Sequence, residues 1–110
     1  MSTYMKKIVC ALIVNISPTM AFAAADAGII SSLYADRYGN IAVKLDKGFP
    51  NSVAAGECST FNGWAGVPAD NTELKAVLLS AKASQSPVRL SITGCEAGGA
   101  WLRVNGVYVE

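Results

Sequence analysis

Few residues in this 110-residue sequence could do chemistry, because it has no histidine and only three cysteines. Without histidine, a serine or cysteine nucleophile has no ordinary general base. Cys58 and Cys95 lie in the body of the chain, whereas Cys10 lies in an N-terminal apolar run. Glu57 and Glu96 each sit next to one of these two cysteines, and a carboxylate pair can act in hydrolysis. Adjacent surface acids are common, however, so we expect the protein not to be an enzyme.

Several ligand classes are excluded by what the sequence lacks. The glycines are isolated or doubled in turns, so neither a phosphate-binding loop nor a dinucleotide fingerprint occurs. Two thiolates without histidine fall short of the four ligands of a structural zinc site. We therefore expect no cofactor and no metal. Of nine basic residues two precede residue 8, which leaves seven against eight acidic ones and no basic stripe for nucleic acid.

Residues 1–23 have the organisation of an export signal. Two lysines precede the apolar run Ile8–Ile16, and Ala21-Phe22-Ala23 offers small residues where a signal peptidase cleaves. We expect cleavage after Ala23, which leaves residues 24–110 as a single small domain in the periplasm or outside the cell. The apolar run is shorter than the roughly 20 residues that cross a bilayer, so no membrane span is expected.

Cys58 and Cys95 are predicted to form one disulfide, with two reduced thiols as the alternative. An exported protein meets an oxidising compartment. A domain of this size buries only about 60–65% of its unfolded surface, so a covalent link is useful. The chain-entropy model assigns about 4 kcal/mol to a loop closed between these two positions.

Hydrophobic periodicity predicts strands in the first half of the domain. Ile29–Tyr34 is β-rich, and Ile41–Asp46 alternates between apolar and polar residues, with turn chemistry at Tyr38-Gly39-Asn40 between them. These two segments are predicted to form a hairpin. Gly48–Gly56 contains proline and two glycines and is predicted to be a loop, and Glu57–Phe61 is predicted to be a third strand.

A helix is predicted after residue 70, where Asp70 and Glu73 have the spacing of a capping box. Pro87 marks its end. An apolar stripe with helical spacing is expected to pack on a sheet, rather than to form a ligand groove: Leu74, Val77, Leu78 and Ala81.

Two strands follow the helix and complete the order β-β-β-α-β-β. Val88–Thr93 alternates, Gly98-Gly99 turns the chain, and Trp101–Val109 forms the fifth strand, with a small hairpin or a bulge at Asn105-Gly106. This is the order of an OB-fold, a five-stranded barrel that is mainly β with one helix. The disulfide would then join strand three to the end of strand four.

The aromatic residues favour a binding function. Aromatic ring faces pack on the CH groups of sugars, while hydroxyls and amides fix sugar hydroxyl groups. Trp64 and Trp101 are more typical of a core than of a ligand platform. Tyr34 and Tyr38 lie at the predicted hairpin and are the better candidates for exposure and ligand binding.

The sequence resembles pentameric toxin B subunits of the type found in subtilase cytotoxin. Cys58-Ser59, Trp64-Ala65-Gly66 and Pro87-Val88-Arg89 follow one another in the same order as similar steps of that family, around a helix of similar length. The run Gly94–Val104, with Val107–Val109, is more similar to a group of short exported bacterial proteins of unassigned function.

The toxin resemblance implies an OB-fold, a ring of five subunits and binding of sialylated glycans. The family's sugar-contacting serine falls on Ser31. Its aromatic wall falls on Ile92, and its strand-two cysteine falls on Val43, so this chain departs from the pattern at both positions. The fold can be shared while the ligand differs.

Two functions from different classes follow. The first is a secreted or periplasmic, non-catalytic binding module of the toxin B-subunit type, a homo-oligomer that binds a glycan or protein through Ser31, Tyr34 and Tyr38. The alternative is a small periplasmic interaction or inhibitor protein, monomeric or dimeric, that occludes a partner through Gly48–Gly56.

Overall fold

The computed structural model describes residues 24–110, so the predicted export signal and Cys10 lie outside the described residues. The described part is mainly β, with two α-helices. In chain order its elements are β1 (Ala24–Gly28), β2 (Ile30–Ala35), β3 (Ile41–Leu45), α1 (Pro50–Ala54), β4 (Ala65–Val67), α2 (Thr72–Ser84), β5 (Val88–Glu96), a 3₁₀ turn (Ala97–Gly99) and β6 (Trp101–Val109).

The strands form one six-stranded sheet in the order β1-β5-β6-β4-β3-β2. Neighbouring strands are antiparallel except β4 and β6, which are parallel. The predicted five-stranded closed barrel is therefore wrong: the sheet is open and has six strands. The expected first strand begins at Ala24, not Ile29, and divides into β1 and β2.

The division falls on Ile29, which alone separates β1 from β2, although these strands lie at opposite ends of the sheet order. The Ile29 N–H donates to Asp46 Oδ1 (2.9 Å), and the Asp46 N–H donates to the Ile29 carbonyl (2.9 Å). A Cβ at Gly28 would collide with Asp46 Oδ1, so a larger residue would displace this carboxylate from its hydrogen bond with Ile29. Asp46 thereby fixes the point at which the chain changes its pairing partner.

The core lies on one face of the sheet, because alternate residues of each strand point to that face. Leu78 and Ala81 of α2 are buried against it. Its strand residues, all buried, are Ile30, Ile41, Val43, Leu45, Ala65, Val67, Val88, Leu90, Ile92, Leu102 and Val104.

Helix α2 agrees with the predicted helix in place but differs in two details. Its N-cap is Asn71, whose side chain accepts from the Leu74 N–H (3.3 Å), so the predicted capping box was placed one residue too early. Of the predicted stripe, Leu74 packs only partly against the core, and Val77 is 36% exposed. The stripe is therefore only partly covered by the sheet.

The predicted loop Gly48–Gly56 contains α1, which Asp26 of β1 holds in place. The Asp26 carboxylate is 2% exposed and accepts from the Asn51 N–H (2.9 Å), the Ser52 N–H (3.0 Å) and the Ser52 hydroxyl (2.7 Å). A carboxylate at the first turn of a helix satisfies backbone donors that have no partner inside the helix. The long-range cap makes this segment part of the fold.

The predicted disulfide between Cys58 and Cys95 is confirmed. Cys95 lies near the end of β5, as expected. Cys58 lies in an irregular segment. The strand that was predicted as the third, at Glu57–Phe61, is instead β4 at Ala65–Val67. The irregularity in the last strand is a bulge: Gly106 pairs with Ser91 and Val104 with Ile92, which leaves Asn105 unpaired.

Replacing Asp26 by alanine should lower the free energy of unfolding by about 3 kcal/mol, because buried Ser52 and the start of α1 lose their acceptor. Urea unfolding of the variant and the wild type would measure this difference in the free energy of unfolding. Asp70→Ala, at an exposed aspartate, should change stability by less than about 0.5 kcal/mol. Equal midpoints for Asp26→Ala and Asp70→Ala would contradict the capping role.

Replacing Cys58 by serine should lower stability by about 2–4 kcal/mol, since the unfolded chain loses its cross-link. Thermal unfolding under oxidising conditions measures the difference. With a reductant present, the wild-type protein should fall to the level of the variant. Equal melting temperatures under oxidising conditions would contradict the prediction.

Candidate functional site

The sheet face opposite the core carries an aromatic cluster across β2, β3, β4 and β6. Tyr34 pairs with Ala42, Ala42 with Gly66, and Gly66 with Arg103, so these four residues lie in one row on the same face. The two middle residues, Ala42 and Gly66, have only a methyl group and a hydrogen as side chains. This leaves a shallow floor between Tyr34 and Arg103 that larger rings can cover.

Three rings occupy that floor and are named here the aromatic platform: Tyr34, Trp64 and Trp101. The Tyr34 ring centroid lies 5.6 Å from that of Trp101, with an edge-to-face angle of 73°, and 6.2 Å from that of Trp64. These are the distances and tilts that aromatic pairs favour. The rings hold one another in place while remaining at the surface.

Gly66 sets the depth of the platform. A Cβ at this position would lie 2.8 Å from Cζ3 of Trp101 and 2.9 Å from the Ile41 carbonyl oxygen. Any side chain at this position would lift the indole away from the sheet. The strand β4 therefore needs glycine here for close packing and not for an unusual backbone angle.

A cation borders the platform. Lys44 Nζ lies 4.7 Å from the centroid of the Trp64 ring, within the range of a cation–π contact. Within residues 24–110 the salt bridges are Arg89 with Glu110 and Arg103 with Glu96, so Lys44 keeps its charge available at the platform. Its ammonium group carries three hydrogen-bond donors at the edge of the platform.

The turn between β2 and β3 is organised by Asp36. Its Oδ1 accepts from the N–H groups of Tyr38 (2.9 Å) and Asn40 (3.0 Å), and its Oδ2 accepts from the Asn40 amide (3.3 Å). Desolvation raises the pKa of the Asp36 carboxyl, but the hydrogen bonds that the carboxylate accepts outweigh it, so the pKa lies below its ordinary value. Asp36 thus fixes the backbone of the turn that follows Tyr34.

The structure separates the residues predicted to bind a ligand. Tyr34 is 42% exposed and belongs to the platform, whereas Tyr38 is 72% exposed at the turn, with the Arg37 guanidinium 5.5 Å from its ring centroid. Ser31 is the bulged residue of β2, and its hydroxyl donates to the Lys44 carbonyl (3.2 Å). Ser31 therefore lies next to the strand that carries the platform cation.

Trp64 and Trp101, which the sequence favoured as core residues, lie half-buried at the surface. Neither belongs to the core cluster. The signal that could have identified them is the small outward-facing residue of β4, Gly66, which leaves room for an indole on the outer face.

The two carboxylates next to the cysteines have separate partners. Glu57 Oε1 accepts from the Gly94 N–H (3.1 Å), and Glu96 Oε1 accepts from Arg103 Nε (3.0 Å). Each carboxylate holds a local structure in place around the disulfide. Across residues 24–110, no three side chains of the metal-ligating types come close enough to hold an ion.

Comparisons with known proteins leave the site to be interpreted from its geometry. No family model matches the sequence, and neither the curated proteins nor the solved structures gave a match. In the described part of the chain, neither helix has the length and apolar character that a membrane crossing requires.

The Asp36 turn should respond to acid. Because the folded-state pKa is lowered, the carboxylate stabilises the turn fully above the unfolded-state pKa, and this stabilisation is lost as pH falls through the folded-state pKa. The amide-proton shifts of Tyr38 and Asn40 should titrate below the ordinary aspartate value of 3.8. Asp36→Asn should remove the transition. A titration at or above the ordinary value would refute the assignment.

Proposed function

We propose that this chain is an exported, non-catalytic binding module that holds a glycan on the aromatic platform. The observation that carries the proposal is the clustering of Tyr34, Trp64 and Trp101 on an exposed sheet face, with the Lys44 cation against one ring. The rings lie outside the core cluster and are half-buried or exposed, so part of each ring is open to a ligand.

The chemistry of the platform suits a sugar. Half-buried ring faces offer apolar surface for the CH side of a pyranose. Polar groups lie at the edge of the platform. The Lys44 ammonium can donate to sugar hydroxyls. Asn62 is exposed and adds a side-chain amide, whose Oδ1 accepts from the backbone N–H of Trp64 (3.4 Å). Aromatic and apolar side chains with a few placed polar groups are the usual lining of a small-molecule site.

The order of strand pairing supports the same proposal. If β1 and β2 are counted as two halves of one bent strand, the pairing follows the connectivity of an OB-fold, including the parallel pair β4 and β6. In OB-folds the face of strands two and three binds oligosaccharides and oligonucleotides. The corresponding strands here are β3 and β4, which carry Lys44 and the floor of the platform. The lack of a basic stripe favours the saccharide.

The sequence resemblance to toxin B subunits is the ground on which Ser31 is included in the proposed site. Its hydroxyl donates to the Lys44 carbonyl, so Ser31 adjoins the strand that carries the platform cation. The alternative function, inhibition of a partner through Gly48–Gly56, has weaker support. That segment is pinned to β1 by Asp26, and Val53 is its one large exposed apolar side chain, at 57%.

The test is a glycan array followed by titration calorimetry with the best sugar found. Trp64→Ala should weaken binding about tenfold or more, equivalent to about 1.4 kcal/mol, because it removes one stacking face and the support of Lys44. Ser31→Ala should also reduce the signal. Leu79→Ala, at a residue 47% exposed on α2, is the matched surface control and should bind as the wild type does.

Two results would contradict the proposed function. One is a wild-type protein that binds none of the neutral or acidic glycans on the array. The other is equal affinity for the wild type and Trp64→Ala, with both proteins folded by circular dichroism.

A further inference from the structure

One edge of β6 is unpaired near its end. On one side β6 pairs with β5 along the strand from Trp101 to Val109, apart from the irregularities at Arg103 and Asn105. On the other side it pairs with β4 only at Leu102 and Arg103. Within residues 24–110 no strand pairs with that side of Gly106–Val109. We call this side of the segment the free edge.

One hydrogen bond shows in which direction the backbone groups of the free edge point. The Glu110 N–H donates to the Pro87 carbonyl (2.8 Å), so the backbone groups of Glu110 face β5. Hydrogen-bonding direction alternates along an antiparallel strand, so Tyr108 also faces β5. The N–H and C=O groups of Val107 and Val109 therefore point outward from the free edge.

The free edge lacks the features that usually prevent strand addition. Edge strands are commonly protected by charged residues, proline, bulges or a covering helix. Helix α2 contacts β6 but leaves the last two residues of the strand exposed. Gly106-Val107-Tyr108-Val109 has no charge and no proline, and the bulge at Asn105 precedes it. Tyr108 is 58% and Val109 51% exposed. Such an edge is open to another strand.

An apolar groove runs beside this edge. It lies between α2 and the end of β6, has a volume of about 400 Å³, and includes Ala76, Val77, Ser80 and Val109 in its lining. Val77 is the residue of the predicted helix stripe that the sheet leaves partly exposed. A strand that adds to the free edge would carry its own valines towards this groove.

We propose that the free edge is a homodimer interface, in which a second copy of the chain adds its own β6 antiparallel across a two-fold axis at Tyr108. The sequence Val107-Tyr108-Val109 is the same in both directions, as an isologous interface requires. The outward groups of Val107 then bond those of Val109 in the second copy, and the two Tyr108 residues face each other.

This register brings compatible side chains together. Valine meets valine and tyrosine meets tyrosine, which are favourable cross-strand pairs. The nearby charges are already balanced within each copy, because Arg89 stacks 4.7 Å from the centroid of the Tyr108 ring and forms a salt bridge with Glu110 (3.6 Å). The self-complementary sequence and the absence of opposed like charges favour a second copy over an unrelated strand.

The test uses charge reversal at the axis, with the full chain purified in the form that the cell exports. Light scattering coupled to size exclusion should give the mass of two chains for the wild type. Tyr108→Lys and Tyr108→Asp should each give half that mass, since like charges would face each other. Mixing the two variants should restore a one-to-one dimer, because lysine then faces aspartate.

Tyr38→Lys and Tyr38→Asp are the matched controls, since Tyr38 is also an exposed tyrosine that stacks with an arginine. Both should keep the mass of the wild type. A monomeric wild type at all concentrations, a mass other than two chains, or variants at Tyr108 that keep the wild-type mass would each overturn the proposal. So would a mixture of Tyr108→Lys and Tyr108→Asp that stays monomeric.

Discussion

The pair of hydrogen bonds between Ile29 and Asp46 is the constraint on which the rest of the structure depends. These bonds hold the chain where β1 ends and β2 begins, so that one segment supplies both ends of the sheet order. Its first half reaches β5 and presents Asp26 to α1, and its second half brings Tyr34 to the outer face of β3. The sheet, helix α1 and the platform therefore share one point of attachment.

Much of the fold follows from local patterns. Alternation predicted β3 and the first part of β5, helical spacing predicted α2, and the expectation of an oxidising compartment predicted the disulfide. The strand β1 was missed because Ala24-Ala25-Asp26-Ala27-Gly28 has no apolar alternation and is held by pairing with β5. Helix α1 could not be predicted, because its cap comes from Asp26, which lies 25 positions from Asn51.

The candidate site was predictable only in part, because two of its rings depend on a strand that the sequence does not indicate. The exposure of Tyr34 follows from its place beside a turn. The positions of Trp64 and Trp101 depend on where β4 begins, and a three-residue strand of small side chains gives no periodic signal. Once β4 is placed, Gly66 explains why the Trp101 indole lies outside the core, since the outer face has room for it there.

The distance along the chain between paired strands also determines when the domain can fold. Ala24 pairs with Ile92, and the strand β5 that contains Ile92 is held in turn by β6. Contacts between residues so far apart form slowly, because a long loop must close before they contribute any stability. The first strand of the sheet therefore stays without its partner until nearly the whole chain has been delivered. A chain with this order of pairing completes its sheet only once β5 and β6 are available, so a partly made chain lacks the partner of its first strand.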